Sequence, residues 1–162
     1  LTEHQVLNPH GGEGIYGEVH FKNLAIGILP LDENYYTWIV GQYRFPLKAY
    51  SWEIIEGGGA LHVDPIESAQ RELAEESGII AQKFTEIQRM HLSNSVSDEL
   101  AIIYVAQDLQ LGKSSPEETE ELVIRKLHFN EVYAMVMNGT ITDGISVAAI
   151  LKVKILIDER KI

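Results

Sequence analysis

GGGALHVDPIESAQRELAEESGI, from Gly57 to Ile79, is the stretch around which the rest of the 162-residue chain is organised. It reads as a glycine turn followed by a capped helix that carries a dense row of acids. Asp64 can cap that helix, because its short carboxylate accepts from the free N–H groups of the first turn. Pro65 follows at the first helical position, where a missing N–H costs nothing. Glu67, three residues after Asp64, completes a capping-box-like pair, and Gly78 can stop the helix by taking a positive φ. Ile66, Ala69, Leu73 and Ser77 recur at three- and four-residue steps and predict a core-facing stripe. Glu72, Glu75 and Glu76 fall on another side, with Arg71 beside them. Glu72 and Glu76 are neighbours one turn apart, and like charges at that spacing repel by roughly 0.2–0.5 kcal/mol. A solvated surface tolerates such repulsion, so the helix alone reads equally as a solvent face or as a site for a hard divalent cation, which wants several carboxylate oxygens together. The glycines favour the site. Three in a row give up backbone entropy, which a special conformation or a close approach must require.

The combination resembles the Nudix box: Gly, five residues, Glu, seven residues, Arg-Glu, an aliphatic, any residue, Glu-Glu, any residue, Gly, an aliphatic. Gly57, Arg71, Glu72, Leu73, Glu75, Glu76, Gly78 and Ile79 all stand in register. Val63 departs from it, standing where the box has its first glutamate. In the family that residue mainly supports the loop and the helix start, and Asp64 beside it is expected to take over the capping.

Composition bounds the function classes. A chain of 162 residues is long enough for one domain with a real core. With 45% hydrophobic and 23% charged residues it has the make-up of an ordinary globular protein. No apolar run approaches the roughly 20 residues that span a bilayer, and no basic-then-apolar leader is expected to act as a signal peptide. There are no cysteines, which excludes disulfides and thiolate metal sites and is compatible with the cytoplasm. The net charge of −11 argues against nucleic-acid backbones and anionic membranes as partners, since both need a positive surface. Such a chain should handle a polyanion through metal ions and a few local cations.

Along the chain, residues 1 to 14 are polar and broken by Asn8-Pro9 and Gly11-Gly12, an irregular lead-in or arm. Ile15 to Phe21, Leu24 to Leu29 and Tyr35 to Tyr43 read as strands, and Tyr50 to Ile55 leads extended into the glycines. After the box helix, Lys83 to His91, Leu100 to Ala106 and Leu122 to Phe129 read as strands, separated by the polar loop Ser93 to Asp98 and the acidic loop Asp108 to Glu121. Asn130 can cap a helix ending at Asn138-Gly139, and Asp143 or Thr142 can cap a last helix running to about Asp158. The pattern predicts a layered α/β arrangement, a mixed sheet with helices on both faces. It resembles the Nudix fold, an α/β/α sandwich, over almost the whole chain. VGQYRFPL at Val40 to Leu47, SWEI at Ser51 to Ile54 and SVSDE at Ser95 to Glu99 resemble the branch of the family that hydrolyses ADP-ribose and nucleotide sugars. Members of that branch are commonly homodimers that exchange N-terminal strands. The resemblance thus implies a single domain over residues 1–162, with residues 1–23 as an arm and strand taking part in dimerisation.

The resemblance also implies the site. Glu72 and Glu76 are metal ligands, Glu75 is a ligand, a close support or a participant in catalysis, the carbonyl of Glu56 also coordinates, and Gly57 and Gly58 after it are substrate-binding. Arg71 holds the helix in position. The metal is Mg²⁺, with Mn²⁺ as a substitute. Mg²⁺ keeps waters and needs only a few carboxylates plus substrate phosphates. A catalytic base comes from the acidic loop, with Glu118 as first choice and Glu120 and Glu121 as rivals. Arg44 is the phosphate contact, because a guanidinium can bind two oxygens at once. Tyr43, Tyr50 and Trp52 offer faces for a base or sugar, Glu53 reaches metal or ribose, and Glu99 is a further candidate near the metals. The activity implied is Mg²⁺-dependent cleavage of the pyrophosphate bond of ADP-ribose or a related nucleoside diphosphate sugar. Asn94 stands where ADP-ribose enzymes often carry proline, which leaves GDP-mannose, UDP-sugars and other ADP-sugars open. The alternative is a catalytically inactive nucleotide-binding sensor derived from the same fold, to which only Val63 points.

Overall fold

Apolar runs without alternation belong to strands buried on both faces, and Leu24 to Pro30 is such a run. In the computed structural model, which describes residues 1–112 and 122–162, it forms β3 (Asn23–Pro30) in the middle of a four-stranded sheet. Its neighbours are β6 (Ile55–Ala60), antiparallel, and β8 (Leu100–Leu111), parallel; β7 (Ile79–His91) closes the sheet antiparallel to β8. A second sheet has the order β5 (Ala49–Glu53), β4 (Tyr36–Arg44), β9 (Val123–His128), all antiparallel.

Successive residues of β8 face opposite layers, as the pleat requires. Ala101, Ile103 and Val105 pack with Val132 of α2 (Phe129–Met137) and with Ile145, Ala149 and Val153 of α3 (Gly144–Asp158). Ile102, Tyr104 and Ala106 pack with Ala69 and Leu73 of α1 (Pro65–Ser77). Helices therefore cover both faces of a mixed sheet, the expected α/β/α sandwich. The α1 ends fall where the sequence places them: the Asp64 carboxylate accepts from the Ile66 N–H at 3.1 Å, and Gly78 takes φ 70° and donates its N–H to the Ala74 carbonyl.

Several boundaries differ from expectation. Gly57, Gly58 and Gly59 form no turn. They lie in β6 opposite Ile26, Ala25 and Leu24, and none has positive φ; close approach demands glycine at Gly57, against Glu72, and at Gly59, against Ile26, whereas a Cβ at Gly58 would fit. The polar N-terminus is a hairpin, β1 (Thr2–Leu7) against β2 (Glu13–Glu18). Its side chains are almost all exposed, so no hydrophobic pattern announces it, and Asn8 builds the turn by accepting from the His10 and Gly12 N–H groups. β8 runs five residues past Ala106, through positive φ at Asp108, because β7 continues beside it to Ile79. His128, not Asn130, caps α2. Its ring nitrogen accepts from the Asn130 N–H while Glu131 reaches back to the His128 N–H.

Ile103, fully buried between β3 and the α3 layer, tests this core. Ile103→Ala should lower unfolding free energy by about 2–5 kcal/mol in urea denaturation. A loss under about 1 kcal/mol would mean that β8 is not the centre of the packing.

Candidate active site

The box helix lies against the glycine strand, and the contact is closest at Gly57. A Cβ at that position would sit 2.0 Å from Cδ of Glu72, so any other residue would displace the carboxylate. Glu72 accepts from the Gly58 N–H, while Arg71 donates to the Gly58 carbonyl at 2.9 Å. Arg71 also pairs with Glu72 and Glu75, each at 2.6 Å. One guanidinium thus fastens two box carboxylates and the strand together. Burial pushes the Glu72 carboxyl up, and the Arg71 charge and hydrogen bond oppose that. Glu76, one turn on, is 3% exposed. The acidic row is therefore no solvent face; Glu76 turns inward.

The segment before the glycines holds a second group. Arg44 forks onto Glu53, its Nε donating at 2.9 and 3.1 Å and its Nη2 completing the pair. Glu53 itself is 2% exposed. This bond, foremost, holds the guanidinium above its ordinary pKa. Glu56 accepts from the Ser146 hydroxyl at 2.8 Å and shares a hydrogen bond with Asp143. Burial, reinforced by the Asp143 charge, pushes the Glu56 carboxyl well above the ordinary carboxylate range. Burial would raise Asp143 too, but the Glu56 bond and the Ser146 N–H hold it low. A cavity of about 350 Å³ opens here, lined in part by Arg44, Ser51, Glu53, Thr142 and Asp143. A larger cavity of about 470 Å³, with Asp32, Trp38, Asp108 and Lys126 in its wall, shares no residue with this site.

Trp52 meets Tyr50 edge-on, 5.5 Å between centroids, and Arg125 lies 5.1 Å over the indole. Tyr43, opposite Tyr50 in the β4–β5 register, is more than half exposed. Glu99 stands beside Asp98 in the loop leading to β8, where burial and the Asp98 charge raise its carboxyl. That loop is tied to the N-terminal segment: Asp98 accepts from the Phe21 N–H at 2.9 Å, and Val96 from the Val19 N–H at 2.8 Å. Glu118, Glu120 and Glu121 lie outside the described residues.

Of the expected residues, then, Gly57, Gly58, Arg71, Glu72 and Glu75 converge directly, and Arg44 joins Glu53. Asp143, Ser146 and Arg125 were not singled out as site residues. Asp143 was legible only as a helix cap; Ser146 and Arg125 carry no local signal. Among the described residues no three His, Asp or Glu side chains form a ready metal cluster. Mg²⁺ nonetheless fits: the donors are hard oxygens, glycine leaves the cradle for Glu72 open, and one or two carboxylates plus substrate phosphates suffice for this ion.

Gly57→Ala tests the cradle. With 2.0 Å between the new methyl and Glu72, the variant should fold yet lose about 100-fold in metal-dependent turnover, the scale seen when support of a metal ligand is lost. Wild-type kcat in a folded variant would separate Glu72 from the chemistry.

No protein-family model matches the chain. It is 30% identical over 160 residues to the ADP-ribose pyrophosphatase of Mycobacterium tuberculosis (strain ATCC 25618 / H37Rv), covering 94% of the chain and 75% of that protein. It is 27% identical over 128 residues to the ADP-ribose pyrophosphatase of Bacillus subtilis (strain 168), covering 78% of the chain and 69% of the relative. Its fold matches the crystal structure of an ADP compounds hydrolase with a TM-score of 0.85 at 19% identity, over 99% of this chain and 94% of that one.

Proposed function

Since the chain belongs to the Nudix pyrophosphohydrolases, in the branch of the ADP-ribose pyrophosphatases, we propose that it hydrolyses the pyrophosphate bond of ADP-ribose or a related nucleoside diphosphate sugar with Mg²⁺, releasing a nucleoside monophosphate and a sugar phosphate. The observation that carries this reading is Glu72 seated against Gly57 while Arg71 locks Glu72, Glu75 and Gly58 together.

A diphosphate repels an incoming oxygen nucleophile; bound Mg²⁺ neutralises that charge and delivers a polarised water. Glu72, Glu76 and the Glu56 carbonyl are the donors that would hold it, and Mn²⁺ suits the same oxygens. Glu75 backs them through Arg71. Arg71 spends both Nη1 and Nη2 on Glu75, Glu72 and the Gly58 carbonyl, so phosphate binding is assigned to Arg44. The fork from Arg44 to Glu53 uses Nε and Nη2, so Nη1 is outside it and available to a phosphate oxygen. A base from the acidic segment, Glu118 before Glu120 and Glu121, would take the water's proton, worth about 10²–10⁴-fold. Glu53 holds Arg44 in place, Tyr43 and Trp52, on the other face of the β4–β5 ladder, would offer faces to a base or sugar, and Glu99 would serve from the second loop. The chain would act as a homodimer through the β1–β2 hairpin, which exposes Leu7 and Ile15. No helix among the described residues is long and apolar enough to cross a membrane, and we place the enzyme in the cytoplasm, with neither nucleic acid nor membrane as a partner. Val63 alone favours the alternative, an inactive sensor. The acids Glu72, Glu75 and Glu76, which stand in the register of the box, count against it, since a module without turnover has no need of repelling carboxylates.

Release of product from ADP-ribose, GDP-mannose, UDP-glucose and nucleoside triphosphates, with and without Mg²⁺, tests the class and the substrate together. Metal-dependent cleavage of one diphosphate sugar is expected. Glu76→Gln should lower kcat about 100-fold or more, the scale on which a charge-stabilising group acts, with a far-ultraviolet spectrum like the parent's. Binding of ADP-ribose without turnover on any substrate would favour the sensor.

A further inference from the structure

The metal side of the glycine strand is held by α1. Its other side is held by α3, through a ring of hydrogen bonds for which the metal-site reading has no use. Ser146, wholly buried, accepts from the Ile54 N–H at 2.9 Å and donates to the Glu56 carboxyl at 2.8 Å. Glu56 bonds in turn to Asp143, and Asp143 accepts from the Ser146 N–H at 2.8 Å, capping α3. Ile54 and Glu56 are thereby fixed on both sides of Ile55, immediately before Gly57. Gly57 is in turn fixed against Glu72, and Gly58 by Arg71. The Glu56–Gly57 peptide is therefore clamped from two helices at once. A surface cap would need neither a buried serine nor a carboxyl from another strand. We propose that Ser146 and Asp143 are positioning residues of the metal-dependent reaction: by anchoring Glu56 they hold the Glu56–Gly57 peptide in register with Glu72, and so set the affinity for the metal without touching metal or substrate.

This rests on the reading of Glu56, Glu72 and Glu76 as the metal donors. Partners behind metal ligands typically contribute about 10–100-fold in metal affinity. The experiment uses Mn²⁺ as the probe, counted free by electron paramagnetic resonance, with the full chain and an ADP-ribose analogue whose bridging oxygen is replaced by methylene. Ser146→Ala opens the ring. Asp143→Ser keeps a good helix cap but is too short to reach Glu56. Val153→Ala, in the buried face of the same helix, is the control for loss of stability alone. Both ring variants should raise the half-saturating Mn²⁺ concentration about tenfold, and the KM for ADP-ribose at saturating metal should stay within about twofold of wild type. Val153→Ala should lower the melting temperature and leave the Mn²⁺ curve in place. Wild-type Mn²⁺ binding in both ring variants, or equal weakening in Val153→Ala, overturns the positioning role and leaves the metal site standing. If Ser146→Ala does not fold, Asp143→Ser alone decides. No Mn²⁺ uptake by the wild type with the analogue present overturns the metal reading and this inference with it.

Discussion

Glu72 can lie on the glycine strand only because residue 57 has no side chain. From that contact the rest of the site takes its shape. With the helix this close to the strand, Arg71 reaches the Gly58 carbonyl while still pairing Glu72 and Glu75, and Glu76 is carried inside. The α1 helix can approach so far because Ala69 and Leu73 fill the layer beneath it against Ile102 and Tyr104 of β8. Packing brings the helix to the strand, and glycine sets how near it comes.

Charge is arranged with the same economy. A chain of net charge −11 commits both arginines near the strand to carboxylates, Arg44 to Glu53 and Arg71 to Glu72 and Glu75. Each pairing holds an acid that would otherwise be costly to bury. Glu56 has no arginine partner among the described residues; the Ser146 hydroxyl donates to it instead, and burial pushes its carboxyl well above the ordinary carboxylate range.

What could be read from sequence is what is written locally. The spacing of Arg71, Glu72, Glu75, Glu76 and Gly78 lies within one helix and announces its own geometry, as do the Asp64 and Asp143 caps. The strand cores of β3 and β8 are equally plain, being unbroken apolar runs. Four features were not legible for definite reasons. The glycines form a strand because β3 offers them a partner, which no property of Gly57–Gly59 reveals. The β1–β2 hairpin is held by backbone pairing with hardly any burial, so it leaves no apolar period. Ser146 looks like any helical serine until Ile54 and Glu56 are brought to it, and Glu76 looks like a surface acid until the helix is docked.

The Ile54–Ser146 bond joins residues 92 apart in the chain. Closing so long a loop is entropically expensive, and contacts of such separation form late. Everything in the box itself lies within about two dozen residues and can assemble early. During synthesis, therefore, the helix with its acids exists well before its strand is locked from behind. The helix α3 is made long after the box, so a chain interrupted before Asp143 would carry every acid of the box and still lack the second half of the vice that aligns them.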